Sequence, residues 1–163
     1  MGRAEKALLE KLCNAVAVSG DEQEVRAIVL EELEGQADKI EVDAMGNVLV
    51  TKLGKGRSRP RVMVATHMDE IGFMLVKDED DGIYEFRKIG GIDDRQLAGK
   101  SVIIGREHTP GIIGSKAIHM TSPEERKQVV KTEQLRIDLG PGGKAKLGDR
   151  GTFNTQLEWL GPS

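Results

Sequence analysis

Cysteine is almost missing from this chain. Cys13 stands alone, so no intrachain disulfide and no cysteine-ligated zinc site can form. Aromatic residues are nearly as scarce, at 3% of the sequence. Phe73, Tyr84, Phe86, Phe153 and Trp159 are too few and too scattered to stack successive bases of a single-stranded nucleic acid. An excess of positive charge is also lacking. The 24 Lys and Arg residues face 27 Asp and Glu, a formal net charge of −3, whereas phosphate recognition needs a basic field. The one basic stretch, Lys52, Lys55, Arg57, Arg59 and Arg61, is interspersed with glycines and Pro60 and reads as a solvated loop. Finally, no apolar run is long. Residues 62–65 and 71–76 fall far below the roughly 18–20 residues of a membrane-spanning helix. Arg3, Glu5, Lys6 and Glu10 break up any leader-like pattern at the start. These absences exclude a nucleic-acid binder and a helical membrane protein, and a cytoplasmic location is the expectation.

What remains is the balance of a folded domain, with 38% hydrophobic and 31% charged residues over 163 positions. Leu8, Leu9, Leu12, Ala15 and Val16 recur at helical spacing and predict an amphipathic helix over 4–18. Ser19 and Glu22 have the spacing of a capping box. A second helix follows with Val25, Ile28, Val29 and Leu33 on one face, ending near Gly35. The period then changes to alternation around Ile40 and Val42, with Met45-Gly46-Asn47 as a turn into Val48-Leu49-Val50, a hairpin. Residues 61–66 are nearly all apolar and suit a strand covered on both faces. Beyond residue 70, strands are expected at 72–77, 83–88, 100–104, 111–115 and 135–139, punctuated by glycine and proline. One helix, 124–130, is expected after Ser122-Pro123. Frequent short strands predict a small closed or nearly closed barrel. The expected fold is therefore α/β: the N-terminal part of a helix-flanked mixed sheet, then a small β-barrel.

Chemistry concentrates at the end of the 61–66 run, in His67, Asp69 and Glu70. Ligands of α/β sheets bind outside the carboxyl ends of the strands. In extended chain, residues two apart share a face, so His67 and Asp69 converge while Glu70 points away. A neutral imidazole binds a metal through one nitrogen while a carboxylate holds its other N–H. His67 is thus a candidate ligand and Asp69 its orienting partner. A catalytic zinc needs about three protein ligands, more than this segment offers, and His108 and His119 lie in the expected barrel.

The stretch Thr66-His67-Met68-Asp69-Glu70-Ile71-Gly72-Phe73 resembles the first metal-binding motif of the tetrahedral aminopeptidases, the glutamyl aminopeptidase or cellulase-M-like metallopeptidases. Ser19-Gly20 with Glu22 and Glu24, Asp43 with Gly46-Asn47, 89–99 with Asp93 and Arg95, 112–116, His119, Ile137-Asp138 and Gly148-Asp149 follow in matching order. The resemblance implies a catalytic α/β portion (1–70), a β-barrel dimerisation portion (71–155) and a return toward the catalytic portion (156–163). It implies removal of N-terminal residues from peptides at a centre of two divalent ions, zinc or cobalt. Within it, His67 matches the first ligand histidine and Asp69 the aspartate that orients it.

The family's bridging aspartate, general-base glutamate, remaining carboxylate ligands and second histidine are expected beyond position 163. Taken alone, residues 1–163 are expected to be inactive as a peptidase and to bind at most a single ion weakly. The resemblance implies homo-oligomerisation through the barrel, and the uncovered apolar face of the first part separately predicts association, as a homo-oligomer, a swapped dimer or a complex with a separate catalytic portion. The competing expectation is a non-catalytic oligomerisation or binding module derived from that family.

Overall fold

The computed structural model describes residues 1–58 and 60–161, and the chain divides into two compact units, Met1–Asp69 and from Glu70 onward. The first unit opens with helices α1 (Arg3–Asn14) and α2 (Gln23–Leu33). Glu5 in the first turn of α1 and Lys11 in its last complement the helix dipole. Lys11 also lies 3.7 Å from Glu32 of α2. The helix stops four residues short of the 4–18 expectation because the Val16 amide donates to Glu24 Oε2 at 3.0 Å, taking it out of the helical ladder. Ala17 and Val18 are then buried in extended chain. The hairpin is present as β1 (Lys39–Val42) and β2 (Val48–Thr51), paired from Lys39↔Thr51 to Val42↔Val48. Its turn is tied by Asp43 Oδ1, which accepts from the amides of Met45 and Asn47, both at 2.9 Å.

The apolar segment 61–66 is not the covered strand that its composition suggests. It pairs with no strand among the described residues, and Val62, Met63 and Val64 are 82–89% exposed. β-propensity reflects packing against neighbours, and here no neighbouring strand packs against these side chains.

The second unit is a closed barrel. Strands β3 (Gly72–Asp78), β4 (Ile83–Ile89), β5 (Ser101–Ile104), β6 (Thr109–Gly114), β7 (Arg136–Asp138) and β8 (Arg150–Phe153) run in the order β3-β4-β7-β6-β5-β8, all neighbours antiparallel. Closure removes free sheet edges. Alternate residues point inward: Phe73 and Leu75, Tyr84 and Phe86, Val102 and Ile104, with Ile113 and Ile137, are all buried. Phe73 meets Phe86 and Phe153 edge-to-face, with centroids 5.3 and 5.1 Å apart. The Tyr84 hydroxyl closes the interior by accepting from the Ala145 amide at 3.1 Å.

Strand β8 lacks a sequence signal because Arg150-Gly151-Thr152-Phe153 shows no clean alternation. Gly151 is required there by proximity. A Cβ on it would sit 2.5 Å from the Ile103 carbonyl oxygen and 2.2 Å from the Ile104 side chain. The expected helix 124–130 is reduced to a 3₁₀ turn, Glu125–Lys127. Its capping pair does form, with Ser122 N to Glu125 Oε2 at 2.6 Å and Glu125 N to Ser122 Oγ at 3.1 Å. One turn does not offset the cost of nucleation, and extended Gln128, followed by β-branched Val129 and Val130, ends it.

Candidate functional site

Within the first unit, the chain after 61–66 brings His67 and Asp69 together. His67 Nδ1 lies 2.9 Å from the Asp69 main-chain carbonyl oxygen and 3.2 Å from Asp69 Oδ1. Both atoms are acceptors when the carboxyl is ionised, so the pairing places a proton on Nδ1, and in the neutral ring the lone pair is then on Nε2. The imidazole is 83% exposed and the Asp69 side chain 42%. The ring stands in the open, on the rim of a groove of about 610 Å³ that Val29, Met45, Val50 and Val64 also line.

Asp69 has a second partner. The Ser19 hydroxyl donates to its Oδ2, across fifty residues of sequence. This hydrogen bond is the main reason that the Asp69 carboxyl titrates below the ordinary carboxylate range, with the His67 ring adding to it against partial desolvation. Ser19 therefore does not cap α2, as the capping-box spacing suggested. The N-cap is Glu22, without a side-chain cap bond, and Glu22 Oε1 accepts from the Gly20 amide instead. Nothing local in the sequence signals the Ser19–Asp69 contact, since its two halves belong to different motifs.

The remaining candidates lie elsewhere. Glu70 falls in the second unit and is half-buried. His108 is exposed in a tight turn at φ 51°, and His119 is exposed in the 3₁₀ turn Ile118–Met120. Several motif carboxylates organise turns. Asp93 accepts from the Arg95 side chain and amide, which hold its carboxyl down to about 2. Asp138 accepts from the Gly140 amide at 2.7 Å and Asp149 from that of Lys146 at 2.8 Å. Among the described residues, no group of three or more His, Cys, Asp or Glu side chains is gathered to hold a metal ion. The donor chemistry thus fits one position of a metal centre, an imidazole oriented by a carboxylate, and not a complete set.

The architecture is therefore mixed α/β: a helix–hairpin unit followed in sequence by a small closed antiparallel barrel, with an exposed carboxylate-held histidine near the end of the first unit. The chain belongs to the M42 glutamyl aminopeptidase family, whose model matches residues 46–158. It is 38% identical over 148 residues to the putative aminopeptidase FrvX of Escherichia coli (strain K12), covering 88% of this chain and 40% of that protein. A TET aminopeptidase from the marine sediment archaeon Thaumarchaeota archaeon SCGC AB-539-E09 superposes with a TM-score of 0.87 at 32% identity, over 97% of this chain and 47% of that one. The Pyrococcus horikoshii TET1 peptidase, described as assembling into a tetrahedron or a large octahedral shell, gives 0.77 at 34% identity, over 91% and 46%. The chain therefore spans about two fifths of this curated relative and just under half of these structures. Among the described residues, no helix is long and apolar enough to cross a membrane.

Proposed function

We propose that residues 1–163 carry the first ligand and the oligomerisation barrel of a two-metal aminopeptidase that removes N-terminal residues from peptides. The observation that carries this reading is the His67–Asp69 pairing, which leaves Nε2 unencumbered and outward. His67 would supply one ligand through Nε2, and Asp69 holds the ring by Nδ1. Zinc or cobalt ions, when bound, supply polarisation of the peptide carbonyl and acidification of a water. The other donors and the general base come from outside these residues, which accords with the single candidate ligand found here and with the fraction of its relatives that the chain spans. Residues 1–163 alone are accordingly inactive and bind at most one ion weakly, because affinity follows ligand count and a preformed geometry.

In this reading, 1–70 is the partial catalytic portion, 71–155 the dimerisation portion and 156–163 the return, and the assembly is a cytoplasmic homo-oligomer. The described assemblies of TET relatives support the oligomer. The second reading, a non-catalytic oligomerisation module, draws on the closed and well-packed barrel. Calorimetric titration with zinc and cobalt separates the two. Weak binding that disappears in His67→Ala supports the metallopeptidase reading, and metal uptake unchanged by His67→Ala refutes it. Chelator-sensitive release of aminoacyl reporters by the purified chain alone would overturn the inactivity.

A further inference from the structure

Ser19 is not the N-cap of the helix that follows it, which is Glu22, and its hydroxyl reaches an aspartate fifty residues away. That aspartate has two carboxylate oxygens with different partners: Oδ2 takes the Ser19 proton and Oδ1 faces His67 Nδ1. A carboxylate with only one of these contacts can rotate about χ2, a broad, soft torsion, and swing Oδ1 off the ring. With Oδ2 held, that rotation is blocked. The contact also ties the 66–69 segment to the α1–α2 connection. The preceding residues 62–64 are largely exposed. Val18, immediately before Ser19, is fully buried, so the hydroxyl is presented from a fixed piece of backbone.

We propose that Ser19 is a positioning residue for His67: it clamps the Asp69 carboxylate so that the ring keeps its proton on Nδ1 and presents Nε2. The inference rests on the reading of His67 and Asp69 given above, and it adds a third member to that pair. A purely structural role for Ser19, as a tie between two loops, would leave the ring tautomer untouched. A positioning role would not.

The test uses the metal-free chain labelled with ¹⁵N, with the ring nitrogens of the three histidines followed by long-range proton–nitrogen correlation. His67 is assigned by its loss in His67→Ala. At about pH 8.5, well above the ordinary imidazole range, the Nδ1–H tautomer of His67 dominates in the parent protein. In Ser19→Ala, the Nδ1–H to Nε2–H ratio falls by roughly two- to threefold, the low end for one exposed hydrogen bond, because the main-chain carbonyl of Asp69 remains as an acceptor. The ring also becomes more mobile on the nanosecond scale. Ser19→Thr, which keeps the hydroxyl, restores both, and His108 and His119 report that the remainder of the chain is unchanged. Asp69→Ala separates the two levels of the argument. A shift in Asp69→Ala with none in Ser19→Ala overturns the role of Ser19 and leaves the His67–Asp69 pair standing. No shift in either variant removes the pair itself, and the inference with it.

Discussion

Phe73 is among the largest fully buried side chains of the barrel, and Phe73→Ala tests how this unit is held together. The ring is fully buried and makes edge-to-face contacts with Phe86 and Phe153. A phenylalanine buries on the order of 150–250 Å², which at about 25 cal/mol per Å² corresponds to roughly 4–6 kcal/mol for the whole side chain. Truncation to alanine keeps the Cβ but opens a cavity, and buried Phe→Ala changes cost about 3–5 kcal/mol. A unit of roughly 100 residues has only about 5–15 kcal/mol in total, so the variant loses a large part of its stability. Each kcal/mol lowers Tm by about 4–8 °C at this size, which places the drop above roughly 12 °C. Urea unfolding followed by near-ultraviolet circular dichroism suits the measurement, because Tyr84, the one tyrosine, lies in the same core. Phe153→Leu, at a partly buried position on the rim of that core, is the control and costs about 1–1.5 kcal/mol. A loss below about 1 kcal/mol for Phe73→Ala, with an unchanged denaturant slope, would refute the claim that the inward-facing stripe forms the packed interior.

Two further changes probe the barrel's closure and its charge network. Gly151→Val places a side chain against the Ile103 carbonyl and the Ile104 side chain, so β8 must separate from β5. A loss of about 2 kcal/mol or more, read by thermal unfolding, is expected, and a neutral result would contradict the close approach of these strands. Glu79 accepts from Arg136 at 2.6 Å and from Lys77 at 3.1 Å, and these contacts, Arg136 first, bring its carboxyl from 4.5 down to about 2. A carboxylate whose folded pKa is depressed contributes stability above its unfolded value and loses it as pH falls toward the folded one. Parent stability therefore declines from about pH 4.5 toward pH 2, and Glu79→Gln flattens that part of the Tm–pH curve; parallel curves would show that the network does not couple to folding.

How far the sequence reveals this molecule depends on whether a residue's partner is local. Five of the six barrel strands are legible because inward apolar residues fall between glycine-marked turns, as Phe73 and Leu75 or Val102 and Ile104 do. Strand β8 is not legible, since Gly151 is there for a neighbour and not for its own periodicity. Composition misleads at 61–66, where an apolar run implies covering strands that are not found among the described residues. It misleads again at 124–130, where a good cap precedes a chain that leaves the helix within one turn. The candidate site divides in the same way. His67 and Asp69 are two residues apart and their contact follows from spacing alone. Ser19 is fifty residues from its partner, and its local setting suggests a different job.

The ring of His67 is the point on which the functional account turns, and cobalt titration of the ¹⁵N-labelled chain near pH 8 interrogates it directly. The ion's paramagnetism broadens the resonances of whichever histidine binds it. Broadening that starts at His67 Nε2, well before His108 or His119 respond, is the predicted result. Broadening that begins at either of the other two, or spreads evenly over all three, would contradict His67 as the ligand.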